Sequence, residues 1–163
     1  MANDEEAPSV GGIHVVAALL ALTVGWIHVL HPQYGISNLL LYLDVGTVYD
    51  PRPPAFVVSG AMLIAGVAWW RRAANPRRLY LAGAILMTVY LGGYVAWHTV
   101  LDHGAFWPHL AGHHHHDSGV IEDMVSHLQT DRIAAITKAA ESTLLVILVY
   151  LLIRRDQNSN MFG

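Results

Sequence analysis

GGIHVVAALLALTVGWIHVL, residues 11–30, decides how the rest of the chain must be read. The run contains no Asp, Glu, Lys or Arg. At about 1.5 Å per residue it reaches roughly 30 Å, the thickness of a bilayer's hydrocarbon core. The polar residues before it, 1–10, carry no basic n-region, and the run lacks a small-residue cleavage site and exceeds a signal-peptide core in length. It is expected to be a retained membrane helix over residues 11–31, ended by Pro32.

Three more apolar runs follow, at 55–70, 79–101 and 132–153. Trp69 and Trp70 close the second as an interfacial belt, ahead of Arg71 and Arg72, and Arg154 and Arg155 close the last. Between the first two spans, Ile36 to Leu43 is apolar but too short to cross, so an interfacial or re-entrant helix is expected there, with Ser37 or Asn38 as its cap. Pro53 and Pro54 suit the first turn of the second span. Residues 73–76 form a tight turn, 102–131 a loop with an amphipathic helix from Val120 to Leu128, and 154–163 a polar, disordered tail. Composition agrees: 54% of residues are hydrophobic and 13% charged, against about 25% charged in a typical soluble domain. The absence of cysteine excludes disulfides, thiolate metal sites and cysteine nucleophiles. A formal charge of -3, with no basic stripe outside two Arg pairs, gives no sign of nucleic-acid binding, and none is expected. The expected fold class is all-α: a transmembrane four-helix bundle with an outer interfacial segment and a His-rich outer loop.

An even number of spans puts both termini on one side. Arg71, Arg72, Arg77 and Arg78 in the second link, with Arg154 and Arg155, outweigh Arg52 and Arg132 at the other end. The positive-inside rule therefore places both termini in the cytoplasm and the His-rich loop outside the cell membrane. So few polar positions make a poor standalone channel. The expected partners are the lipid bilayer and either further copies of the chain or a larger membrane complex.

The loop and its edges, residues 97–127, read WHTVLDHGAFWPHLAGHHHHDSGVIEDMVSH and hold eight of the eleven histidines. Imidazole and carboxylate bind divalent transition metals. His28 and His31 lie on one face of the first span, about 60° apart. His98 ends the third span at the same depth, and His103 lies just beyond. These four form a candidate cluster for a divalent transition metal (Zn, Cu, Ni or Fe), with His113, His114, His115 and His116 gathering metal above it. The competing reading is that histidines near helix ends bond headgroups and water, and that the tetrad is a solvated loop with adventitious metal affinity. Proton handling is the third, since histidine titrates near neutral pH and ionisable groups inside membranes tend to be functional. Lys138 and Glu141, three apart on the fourth span, form an intrahelical ion pair or lend Glu141 to the histidines as ligand or proton acceptor. His127 and Asp102 are supporting candidates. Gly25, Gly60, Gly66, Gly83, Gly92 and Gly93 are small positions suited to close helix contact. Tyr90, Tyr94 and His98, four apart, line one stripe.

His14 and His28, fourteen residues apart, return to within about 40° of one face. This spacing resembles the paired haem ligands of cytochrome b, which implies b-type haem. No histidine near Leu79 to Ala84 answers His14, so the resemblance extends to one outer haem held by His28 or His31 and His98. HVLH (28–31), HTVLDH (98–103) and HHHH (113–116) resemble the His boxes of membrane di-metal hydroxylases and desaturases, although the first box departs in spacing. With Lys138 the only lysine and an acidic N-terminal tail, the chain as a whole is similar to small multi-pass membrane proteins of haloarchaea. The functional expectation is a metal-binding accessory or transport-related subunit rather than an enzyme. The alternatives are a redox subunit with one haem and a structural membrane protein without a ligand. No phosphate loop or Ser–His–Asp arrangement is present.

Overall fold

Helix α1, Val10–Leu30, stops one residue before His31 and Pro32. Proline has no N–H to continue the ladder, and the chain turns at once, with Gly35 N–H donating to the His31 carbonyl at 2.8 Å. In this computed structural model, residues 10–73, 75–101, 104, 105, 107, 108, 110 and 119–160 are described. Among them are six α-helices and no strand. After α1 come α2 (Ile36–Val45), α3 (Arg52–Trp69), α4 (Pro76–His98), α5 (Val120–Thr130) and α6 (Arg132–Asn160). Four of them, α1, α3, α4 and residues Arg132–Arg154 of α6, are long and apolar enough to cross a membrane.

Local chemistry accounts for the boundaries, including those that differ from expectation. α3 begins at Arg52, three residues before Ala55, because Pro53 and Pro54 are tolerated in a first turn that has no hydrogen-bond partner for an N–H. α4 begins at Pro76 rather than Leu79: Asn75 Oδ1 accepts the Arg77 N–H at 3.0 Å, and proline follows at the first helical position. Asp131 caps α6 by accepting the Ile133 and Ala134 N–H groups at 2.9 and 3.0 Å. α6 then continues to Asn160, well past the expected end at residue 153. α2 exists, but neither Ser37 nor Asn38 caps it; Gly35 holds that position, and Asn38 bonds the Gln33 carbonyl instead. Its end is set by Gly46, left-handed at φ 71°, whose N–H returns to the Tyr42 carbonyl. α2 buries none of its residues, and Leu40, Leu41 and Leu43 are exposed.

The closest helix pairs are α1 with α3 and α4 with α6; α1 also packs on α6, while α3 and α4 scarcely meet. Val24, Met87 and Leu144 form the driest part of the core. The α1–α3 crossing is tight because two glycines face each other. A Cβ on Gly25 would sit 2.9 Å from the Gly60 carbonyl oxygen, and one on Gly60 would sit 2.7 Å from that of Gly25. Gly66, Gly92 and Gly93 border no such contact; a Cβ there meets nothing within 4 Å.

Each end of the bundle has its own tie. At one end Arg52 forms a two-pronged pair with the buried Asp50, Nε and Nη2 reaching the carboxylate at 2.9 and 2.5 Å. Its guanidinium lies between the rings of Tyr34 and Trp97, at 4.1 and 4.3 Å from their centroids. At the other end Trp70 Nε1 donates to Tyr80 Oη at 3.0 Å, with the His14 ring beside both.

Candidate functional site

The site lies where the first and last long helices meet. His28 is two residues from the end of α1 and only 2% exposed; Glu141, a little over two turns into α6, is fully buried. Helix geometry explains why α6 delivers a pair of charges rather than one. Lys138 and Glu141 are three apart on one face, and Lys138 Nζ donates to Glu141 Oε2 at 2.7 Å. The same ammonium lies 3.5 Å from the Tyr90 carbonyl oxygen and 5.3 Å from the Tyr94 ring centroid.

The other carboxylate oxygen is different. Glu141 Oε1 is buried without a hydrogen-bond partner, and His28 Nε2 stands 3.5 Å away. The opposite ring nitrogen, Nδ1, is 2.8 Å from the Val24 carbonyl oxygen. A carbonyl only accepts, so the neutral ring carries its proton on Nδ1 and presents a bare Nε2 to the carboxylate. With a neutral ring and an ionised carboxylate, two acceptors face each other in the buried interior, and a single proton between them would satisfy both. Around them the packing is aromatic. Tyr90 stacks on His28 at 4.2 Å with an interplanar angle of 10°, and Phe56 closes at 4.6 Å. Tyr90 Oη donates to Ser59 Oγ at 2.6 Å, which ties α4 to α3 across the site.

The structure distributes the expected histidines over three places. His28 joins Glu141 and Lys138. His31 does not face it as a second ligand: its Nδ1 accepts the Gln33 and Tyr34 N–H groups at 3.2 Å each, and its ring stacks on Tyr34. It caps the turn after α1. Burial holds its imidazole below the usual histidine range, opposed by Asp131 and reinforced by Arg52. His98 donates from Nδ1 to the Tyr94 carbonyl, 2.9 Å away, and its ring lies 5.0 Å from that of His127 on α5. Tyr94, between these places, contacts the His98 ring at 4.4 Å and donates to the Met124 carbonyl at 3.3 Å. His103, His113, His114, His115, His116 and Asp102 lie outside the described residues. Among the described residues no group of three or more His, Asp or Glu side chains is arranged to hold a metal ion. His14 contacts Trp70 and Tyr80 at the far end of the bundle.

Lys138 and Glu141 form the expected intrahelical pair within α6, and Glu141 also lies beside one histidine of the expected cluster, His28. What the sequence did not signal is Ser59 and Phe56. A serine in an apolar run is indistinguishable from a packing residue until its partner, Tyr90, is known. The Asp50–Arg52 pair between two aromatic rings was equally hidden, since residues 34, 50 and 97 are distant in the chain.

Compared with known protein families, with curated proteins and with solved structures, the chain matches none. Fold and site define a class: a protein all-helical among its described residues, with four membrane-length helices and, between the first and the last, an ionisable triad made of a buried His28–Glu141 contact to which the half-buried Lys138 is paired.

Proposed function

We propose that this chain is a multi-pass protein of the cell membrane, with both termini in the cytoplasm, that binds and releases a proton at the His28–Glu141 pair as part of a larger membrane assembly. Four membrane-length helices and the arginine bias of the 71–78 link and the C-terminal end support the topology. The exposed leucines of α2, too short to cross, suit an interfacial position at the outer face.

The observation that carries the reading is the unpartnered Glu141 Oε1 facing His28 Nε2 at 3.5 Å. One added proton turns two opposed acceptors into a donor and an acceptor. The Lys138 ammonium on Oε2 repels any added cation, and repels a divalent metal more strongly than a single proton. Among the described residues the groups around the pair are Val24 from α1, Phe56 and Ser59 from α3, Tyr90 and Tyr94 from α4, and Lys138 from α6; His31, just past the end of α1, is the nearest further titratable group, with Arg52 and Asp131 near it. Lys138, Tyr94, His98 and the exposed His127 form a line of polar side chains from the pair to the α5 end. Infrared difference spectra across a pH titration test this. A protonated-carboxyl band should gain intensity as pH falls and vanish in Glu141→Gln, while the His28 ring nitrogens shift with the same midpoint. A pH-independent Glu141 carboxylate and an unchanging His28 would sink the reading.

A second reading keeps the divalent transition metal at the outer face, and the His98–His127 proximity favours it. The Tyr94 carbonyl fixes the His98 ring as outer partners fix metal-ligating histidines. In that reading His98 and His127 act with the loop histidines His103 and His113–His116, not with His28. Metal analysis of purified protein checks it: stoichiometric Zn, Cu, Ni or Fe should be lost in His98→Ala and retained in His28→Ala, and no bound metal removes the idea.

A further inference from the structure

Because α3 and α4 scarcely meet, a groove of about 420 Å3 remains between them, floored by α1 and α6. Ala17, Ala21, Leu63, Leu86 and Leu144 represent its lining, which is hydrocarbon along nearly its whole length. One end differs. There the hydrogen-bonded Trp70 and Tyr80, with His14, close the groove, and the chain on either side of that closure carries the exposed Arg72 and Arg78.

Its dimensions restrict what fits. Along α4 the lining runs from Leu79 to Val89, about 15 Å at the helical rise and half of a roughly 30 Å hydrocarbon core. The opposite end stops just below the Ser59–Tyr90 hydrogen bond, so groove and triad divide the bundle between its two halves. The groove is thus a slot one leaflet deep, with the exposed Arg72 and Arg78 in the chain beside its polar end.

We infer that the groove holds one hydrocarbon chain of an anionic membrane lipid, whose headgroup sits at Arg72 and Arg78 beside the Trp70–Tyr80 closure. This rests on the membrane-spanning reading above. A neutral lipid would fill the slot equally well but would gain nothing from the arginines, whereas basic side chains at the membrane surface attract anionic headgroups. Gly66 is part of the slot rather than of a helix contact, since a Cβ there meets nothing within 4 Å.

The test uses full-length protein retaining Trp70 as its single tryptophan, with Trp26, Trp69, Trp97 and Trp107 changed to Phe. It is reconstituted into phosphatidylcholine vesicles containing a minor fraction of either phosphatidylglycerol or phosphatidylcholine with brominated chains. Brominated phosphatidylglycerol should quench Trp70 more strongly than brominated phosphatidylcholine at equal content. Gly66→Leu, which has space for the added side chain, should abolish the difference while helicity stays unchanged. Arg72→Gln and Arg78→Gln should each lower the preference roughly fivefold. Equal quenching by the two lipids, or quenching indifferent to Gly66→Leu, overturns the lipid site. Cross-linking of two copies through Met62 or Ile85 that Gly66→Leu abolishes also overturns it, in favour of self-association. A chain that alkaline washing strips from the vesicles overturns the membrane reading itself.

Discussion

Glu141 has two oxygens with unlike fates, and the site's energetics follow from that difference. Oε2 is paired with Lys138 at 2.7 Å, whereas Oε1 has only the bare face of His28. Removing one member of a buried ion pair leaves the other charge uncompensated, at a cost of about 3–5 kcal/mol, whereas replacing both members by apolar groups of similar size is often neutral. Lys138→Met alone should therefore destabilise the protein by about that amount, and Lys138→Met with Glu141→Leu should recover most of it. Chemical unfolding in detergent micelles measures both; equal stability of the single and double variants would contradict a buried pair of this strength. If the triad binds a proton, the double variant folds but loses the titration. The sequence displayed Lys138 and Glu141 openly, as two charges in an apolar run. It could not display that His28, more than a hundred residues away, completes them, because that pairing depends on which face of α1 meets α6.

Elements were the most legible level. Blocks of apolar residues of spanning length leave little choice of secondary structure, because every backbone N–H and C=O in hydrocarbon must be satisfied within the helix. Boundaries were less legible where a cap decides them, as at Asn75 and Asp131. Helix contacts were legible only in part. Gly25 and Gly60 do form the close crossing expected of small residues, while at Gly66, Gly92 and Gly93, identical in composition terms, an added Cβ would meet nothing within 4 Å. Which face a glycine occupies is a property of packing, not of its neighbours in the chain. The crossing yields a direct comparison. Gly25→Leu would force side-chain atoms against the Gly60 backbone and Ile64; overpacking of this kind costs about 1–3 kcal/mol. Gly92→Ala, in open space, should leave stability level or slightly raised, since alanine favours the helix. Thermal denaturation of the two variants side by side checks the contrast, and equal melting temperatures would refute the close crossing.

For the whole molecule, what matters is which end faces which compartment. The two ends carry different chemistry: Trp70, Tyr80 and the arginines at one, Arg52, Tyr34, Trp97, His98 and His127 at the other. The absence of native cysteine makes the orientation directly measurable, because an introduced thiol reports without background. In intact cells a membrane-impermeant maleimide should label Ser126→Cys on α5 and leave Ala73→Cys in the arginine-bearing link unlabelled until the cells are lysed. The reverse pattern would invert the topology, and with it the compartment that would supply a proton to the His28–Glu141 pair in the proposed function. The histidine tetrad, the most conspicuous part of the sequence, contributed least to these conclusions, since residues 113–116 fall outside the described part of the chain.

The placement of the triad on the first and last long helices also has a consequence for biogenesis. In the proposed membrane reading α1 would enter the bilayer while α6 has yet to be made, so His28 would cross into hydrocarbon without Glu141. It can do so as a neutral imidazole whose proton is occupied by the Val24 carbonyl of its own helix. α6 arrives last, and its two charges travel as a pair neutralised three residues apart, before any other helix is beside them. Each helix thus carries its own local answer to the cost of burying a polar group during insertion. Only lateral association of the inserted helices brings Oε1 of Glu141 against Nε2 of His28. In that reading the proton site at the contact would be created by assembly, and its first appearance would mark the moment at which the first and last helices find each other within the membrane.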